Sequence, residues 1–523
     1  MGAAKGRRTP MTTRYSGTGE LRRDALCILQ PGFTGTVPPD WLLRLIGEGL
    51  GAVGLFARNI ESPGQLQALT SGLRAEREDI LVAVDEEGGD VTRLETRTGS
   101  SFPGNLALGA ADDPSLTRSV ARELGRRLAE CGVNLDWAPC ADVNSDPANP
   151  VIGVRSFGAD PESVARHTAA YVEGLQSTGV AACTKHFPGH GDTRVDSHHD
   201  LPRIRVDLQT LQTRELVPFR AAVAAGTKAV MSAHILVPAL DPDRPATLSR
   251  AALTGLLRAP ESEGGLGFDG LLLTDGMEMR AVSAAYGIER GSVLAVAAGA
   301  DAICVGGGPA DEETVLRLRD ALVRAVWTGA LPEQRLAEAA SRVRALAAWA
   351  ASPDRRGESP EPAPEVGLEA ARRALRVTVG RSPYEPPTGP VFVAAFTPLA
   401  NMAAGDETAW GVAAELARLL PGTGSRTYRR EDVADGGLQA TVTGVLDAAA
   451  GRALIAVVRD VHRHSWMAEA LHGLLAARPD TLVVETGVPA AQPAGALHIA
   501  THGAARVCGR AAAEVITGGG GGS

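Results

Sequence analysis

The chain has 523 residues, 44% of them apolar and 22% charged, an ordinary globular composition that excludes a largely disordered protein. Its length exceeds what one hydrophobic core organises and points to two large domains. A formal net charge of −9 leaves no basic face for nucleic acid or an acidic membrane, so a neutral small-molecule substrate suits the chain better.

Residues 1–20 are polar and basic, lack the continuous apolar stretch of a secretory signal, and read as a flexible N-terminus. No apolar run is long enough to span a bilayer. Cys27, Cys131, Cys140, Cys183, Cys304 and Cys508 are scattered without the paired spacing of a zinc knuckle or a disulfide framework, as expected of buried, reduced thiols in a cytoplasmic protein.

From 21 to 351, short apolar runs of strand length alternate with helical periodicity, the pattern of parallel βα units. Strand candidates begin at Ala25 (ALCILQ), Ala52 (AVGLFA), Ile80 (ILVAVD), Val133 (VNLDWA), Ala181 (AACTKH), Lys228 (KAVMSAH), Gly270 (GLLLTD) and Asp301 (DAICVG). Asp160-Pro161 opens a helix with Val164, Val172 and Leu175 on one face and Gly179 as its stop; Pro114 opens another with Leu116, Val120, Leu124 and Leu128. Eight such units predict a TIM-type (β/α)8 barrel, although periodicity alone also fits an open doubly wound sheet.

The stretch SPDRRGESPEPAPEV from Ser352, rich in Pro and charge, reads as an interdomain linker over 352–367. A smaller α/β sandwich domain is expected over 368–516. Its strand candidates begin at Val391 (VFVAAF), Ala453 (ALIAVV), Thr481 (TLVVET) and Ala496 (ALHIAT), with a helical stretch from Trp410 to Leu420. His462 and His464 read as a solvated turn. Residues 517–523, ending in GGGGGS, read as a flexible tail.

In the first domain the polar residues gather just after the apolar runs, where a barrel places its active site: Asp85, Lys185 with His186, His234 and Asp275. Any one of them reads most simply as a helix cap, but the set does not. The densest stretch is KHFPGHGDTRVDSHHDLP from Lys185, whose turn formers and titratable groups are costly to order unless they line a site. A metal site from His186 and His190 with Asp192, Asp196 and His198 is the less favoured reading, because Gly189 and Gly191 break any helix that would align the two His. A Schiff-base role for Lys185 is likewise secondary to that of a charged donor to hydroxyls. Neither a metal nor a cofactor is expected.

The stretches VAVDEEGGDVTRL from Val82, NPVIGVRSFG from Asn149, KHFPGHGDTRVDSHHDLP from Lys185 and LLLTDGMEM from Leu271 resemble, in this order, the signatures of family 3 glycoside hydrolases. The Asp196-Ser197-His198 triplet resembles the β-N-acetylglucosaminidase branch of that family, whose acid/base is a His on a loop after the fifth strand, paired with an Asp. The resemblance implies a retaining β-N-acetylhexosaminidase in which Asp275 is the nucleophile, Asp196 orients and charges His198, and His198 protonates the leaving oxygen. It assigns Asp85, Arg93, Arg155, Lys185 and His186 to the sugar hydroxyls, with His234 at the rim. N-acetylglucosaminides, from muropeptide fragments or chitooligosaccharides, would be the substrates.

The chemistry is consistent with those residue types. An oxocarbenium-like transition state wants an adjacent carboxylate, and the departing oxygen wants a donor titrating near neutrality, which a His with an Asp partner supplies. Catalysis by the substrate's own acetamide would need an acidic pair at a strand end, and Glu86-Glu87 would diverge if extended. Two alternatives stay open. A phosphorylase of the same fold would draw on the Gly-rich GGGP after the eighth run, where barrels often hold phosphate. A noncatalytic sugar-binding protein would need neither Asp275 nor the Asp196/His198 pair.

Overall fold

The computed structural model describes residues 17–194, 201–308, 311–352, 361–380, 384–398 and 411–519. Among the described residues eight strands precede residue 352: β1 (Leu29–Pro31), β2 (Ala52–Leu55), β3 (Leu81–Val84), β4 (Leu135–Asp136), β5 (Ala181–Phe187), β6 (Ala229–Ser232), β7 (Leu271–Thr274) and β8 (Ile303–Val305). β2 to β7 form one parallel sheet in chain order. β8 is bridged in parallel to β7 through Leu273 and Ala302, and pairs in parallel with β1. The sheet therefore curls until its last strand meets its first. β1 and β2 lie side by side without a ladder between them.

The strands are buried along their whole length, which is why they read as continuous apolar runs and not as alternating ones. Helices cover the outer face. Helix Pro114–Glu130 starts where the Asp113 carboxylate accepts from the amides of Ser115 and Leu116, and it buries Leu116, Val120, Leu124 and Leu128. Helix Pro161–Gln176 is capped the same way by Asp160. The first strand differs from its expected position, because Ala25 to Cys27 complete the last turn of helix Thr18–Cys27 and only the residues from Leu29 are extended.

A second sheet has the order β11-β10-β12-β13-β14-β9, with β9 (Arg376–Val379), β10 (Phe392–Phe396), β11 (Gly424–Tyr428), β12 (Leu454–Val458), β13 (Leu482–Glu485) and β14 (Leu497–Ala500). All pairs are parallel except β9 on β14. Alternate residues of β10 feed two cores. Phe392, Ala394 and Phe396 pack with Val445 and Met467 on one face, and Val391 and Val393 pack with Leu416 and Ile516 on the other. The apolar runs expected here are all strands. β9 and β11 were not foreseen, because both are largely exposed edge strands without an apolar run.

The second unit is seated on loops that follow strands of the first. Asp90, in the loop after β3, accepts from the Ala504 amide at 2.8 Å and pairs with Arg459. His462, in the turn Val461–Arg463 and partly exposed as expected, also places Nε2 2.8 Å from the Pro147 carbonyl oxygen. Arg506 donates to Ser101 Oγ at 2.7 Å. Among the described residues no helix is long and apolar enough to cross a membrane, and all six cysteines are free and buried.

Candidate active site

Every residue singled out at a run end lies at the C-terminal edge of the first sheet. β3 ends at Asp85 and β5 carries Lys185 and His186. Lys185, 2% exposed, donates from Nζ to Asp85 Oδ1 at 2.6 Å and stands 2.7 Å from Glu87 Oε1. Glu87 in turn accepts from Arg155 Nε at 3.0 Å and Nη2 at 2.6 Å. Arg155 reaches in from the short turn Gly153–Arg155, whose position Asn105 fixes by donating to the Arg155 carbonyl. Two carboxylates and two cations thus balance in a nearly dry space. Burial opposes the charge on Glu87, but Arg155 and Lys185 outweigh it and hold that carboxyl well below the usual range. Burial likewise opposes the charge on Lys185, yet Asp85 and Glu87 raise it above an ordinary lysine.

Beside this cluster lies a second one. His186 Nδ1 is 2.7 Å from Asp142 Oδ2, while Asp142 Oδ1 accepts from the backbone amides of His186 and His190 at 3.2 and 2.7 Å. The Cys140 thiol donates to Oδ2 at 3.1 Å. Against the penalty of burial, His186 and these donors hold Asp142 well below the carboxylate range. With Nδ1 engaged by Asp142, His186 turns Nε2 toward Arg155 Nη2, 3.4 Å away. Cys140, Asp142 and His186 are also a group whose donor atoms lie close enough together to hold a metal ion. The set weighed from sequence does not assemble in the described part: the His186 and His190 rings meet edge to face, and Asp192 turns to Arg214 at 2.5 Å. His190 is buried with neither ring nitrogen hydrogen-bonded among the described residues, and burial together with His186 pushes it down to about 4.

Asp275 follows β7, half-buried, with its amide donating to the Ser232 carbonyl and its Oδ1 accepting from the Gly276 amide at 2.8 Å. His234, expected at the rim, is instead fully buried behind Gly276. Its Nε2 lies 2.9 Å from the Gly276 carbonyl and its Nδ1 2.8 Å from Thr247 Oγ1, so the ring braces the turn that carries Asp275. Arg93 sits in the loop after β3, its guanidinium donating to the Thr92 carbonyl and its amide to Glu86 Oε2. Asp196 and His198 lie outside the described residues.

Glu86 and Glu87 do diverge. Glu86 Oε2 accepts from Thr92, Arg93 and Leu94 and so fixes the loop, while Glu87 enters the site. Burial lifts Glu86 to about 7 in spite of those donors. The Gly-rich turn after β8 is already engaged: the amides of Gly306, Gly307 and Gly308 converge on Glu278 Oε1, with the outer two at 3.2 and 3.3 Å. This carboxylate lies over Gly276, where an added Cβ would meet it at 3.2 Å.

Glu87, Asp142 and Glu278 were not singled out in the sequence. Glu87 had a signal, since two diverging neighbours require one to face the pocket. Asp142 also had one, standing just after the fourth apolar run like the residues that were chosen. The role of Glu278 depends on a contact between two loops and had none.

Charged donors, buried carboxylates and a half-buried Asp thus gather at the C-terminal edge of a parallel sheet, the edge at which such folds carry their sites. Residues 44–346 match the family model described as the glycosyl hydrolase family 3 N terminal domain, and the chain belongs to glycosyl hydrolase family 3. It is 36% identical over 269 residues to β-hexosaminidase A of Pseudoalteromonas piscicida, a match spanning 47% of this chain and less than half, 44%, of that protein. It is 37% identical over 274 residues to a β-hexosaminidase of Alkalilimnicola ehrlichii, covering 51% and 77% of the two chains. A solved family 3 β-N-acetylglucosaminidase from Paenibacillus sp. str. FPU-7 superposes with a TM-score of 0.82 at 32% identity, over 95% of this chain and 96% of that one.

Proposed function

We propose that the protein is a retaining β-N-acetylhexosaminidase that removes terminal β-linked N-acetylglucosamine by double displacement. The observation that carries this reading is the placement of Asp275 at the same strand edge as the Asp85–Lys185–Glu87–Arg155 cluster, supported by the hexosaminidases it resembles. The proposed frame is a (β/α)8 barrel over 21–351, a linker over 352–367 and an α/β sandwich over 368–516.

In the first step an Asp275 carboxylate oxygen attacks the anomeric carbon as the glycosidic C–O bond breaks. His198, oriented by Asp196, gives its proton to the leaving oxygen. In the second step the same imidazole takes a proton from water, whose oxygen displaces Asp275 and regenerates it. Asp85, Lys185, Arg155 and His186 hold the sugar hydroxyls. Lys185 and Arg155 are already balanced by Asp85 and Glu87, so they act as oriented donors without attracting a bare anion. His234 is a positioning residue acting through Gly276.

Water is the acceptor that this arrangement favours over phosphate, because the amides of Gly306 to Gly308 are taken by Glu278. Digestion of chitobiose or an N-acetylglucosaminyl muropeptide with and without millimolar phosphate tests both parts. Free N-acetylglucosamine is the expected product in each case, and a predominance of sugar 1-phosphate overturns the choice of acceptor.

A further inference from the structure

The reaction uses only the C-terminal edge of the first sheet, yet a cavity of about 610 Å3 opens at the other edge. Asp79 lines it just before β3, whereas Asp85 follows β3, so six residues of roughly 3.3 Å each separate the cavity from the site. Five arginines face it: Arg22 and Arg23 of helix Thr18–Cys27, Arg77 in the turn before β3, Arg319 of helix Glu312–Trp327 and Arg344 of helix Glu333–Ala351. Only two acids, Glu48 and Asp79, line it with them.

Three of the arginines have partners. Arg77 pairs with Asp79 at 2.8 Å, Arg319 with Asp320 at 2.8 Å, and Arg344 with the buried Asp24. Glu48 is engaged by Arg44 at 3.2 Å. Arg22 and Arg23, both exposed, have no ion-pair partner among the described residues. The side chain of Arg23 lies against Gly49, where a Cβ would meet its Cγ at 2.7 Å, so its stem is held at the cavity wall. In a chain of net charge −9 this is a local excess of positive charge with a concave shape. The sixteen residues ahead of the helix carry Lys5, Arg7, Arg8 and Arg14 and no acid, so in charge they do not complement the cavity.

We propose that this cavity binds a small molecule bearing a di- or triphosphate, with Arg22 and Arg23 as its principal ligands. The volume falls within the usual range for small-molecule sites, about 300–1,000 Å3. Planar guanidinium forks match phosphate oxygens two at a time, which a lysine patch would not do. Neighbouring arginines at a partly enclosed wall focus the field on one place, so two linked phosphates are held better than one.

The test is calorimetric titration of the full chain with inorganic pyrophosphate at fixed ionic strength, beside the Arg22→Gln/Arg23→Gln double variant. Saturable one-site binding is expected, weakened roughly tenfold or more in the double variant. Hydrolysis of an N-acetylglucosaminide should be the same in both proteins, since neither arginine is near the site. Absence of saturable binding at millimolar pyrophosphate, or equal affinity in the double variant, overturns the assignment. Citrate binding as tightly as pyrophosphate would reduce the cavity to a generic collector of charge and overturn its phosphate character.

Discussion

Arg155 and Glu87 meet through two parallel hydrogen bonds of 3.0 and 2.6 Å, with both side chains less than a tenth exposed. Removing one member of such a pair leaves the other charge buried without compensation. Glu87→Ala should therefore cost about 3–5 kcal/mol of unfolding free energy. It should also lower kcat/KM, because Lys185 loses one of its two acceptors. Urea denaturation checks the first part. A stability within 1 kcal/mol of the parent, by that approximate scale, would show that water or a rearranged Asp85 replaces the carboxylate.

Asp275→Ala should abolish turnover by on the order of 10⁴-fold or more while leaving stability nearly unchanged, since the residue is half-buried at a strand end and not in the core. Azide or formate should restore part of the rate by entering the space of the lost carboxylate. The check is a rate assay on an aryl N-acetylglucosaminide together with a melting curve. Near-parental activity in a folded variant removes double displacement through Asp275.

His198→Ala should damage cleavage of a disaccharide far more than glycosyl-enzyme formation from an aryl glycoside with an acidic leaving group, which needs little protonation. Asp196→Ala should do the same more mildly. Pre-steady-state glycosylation rates on both substrates make the comparison. Equal slowing of both would move the acid elsewhere.

Glu278 supplies the fourth prediction. With Glu278→Ala, three converging amides lose their anion and become a ready nest for another. At millimolar phosphate the variant should release a larger share of sugar 1-phosphate than the parent, read by product chromatography. An unchanged product ratio would mean that the nest does not reach the anomeric carbon.

A pH dependence of stability follows from His190. Its folded value of about 4 lies below the ordinary 6.5, so the unfolded chain binds the extra proton between those limits. The resulting stability is complete above pH 6.5 and is lost as pH falls toward 4, amounting to about 3 kcal/mol. His502, also pushed down to about 4 by burial, titrates in the same window, so the informative quantity is the difference between parent and His190→Leu. The variant should lose less stability between pH 7 and 4. Parallel curves would mean that water or the neighbouring loop solvates the ring. Lys185, held above its ordinary range, keeps its charge throughout and adds no slope there.

The strands were readable because both faces of a parallel sheet are buried, which makes each strand a short apolar run of its own. Those with an exposed face, β9 and β11, carried no such mark. The gathering of polar side chains at one sheet edge was readable where a titratable residue ended a run, as at Asp85, Lys185, His186 and Asp275. His234 satisfied the same rule and yet turned inward, because the rule locates a backbone position and not the direction of a side chain. Glu278 was invisible for a further reason: its partners are backbone amides some thirty residues away, and amides have no signature in sequence.

Asp90 is shared property. It belongs to the loop that also presents Asp85, Glu87 and Arg93, yet its two oxygens are claimed by Arg459 and the Ala504 amide of the other unit. The modules are therefore not freely interchangeable. A hybrid joining this first module to the second module of a relative would need Arg459 and the backbone course at Ala504 transplanted with it. Without them, the mismatch would be felt first in the loop that presents Asp85, Glu87 and Arg93 and only afterwards in the solubility of the hybrid.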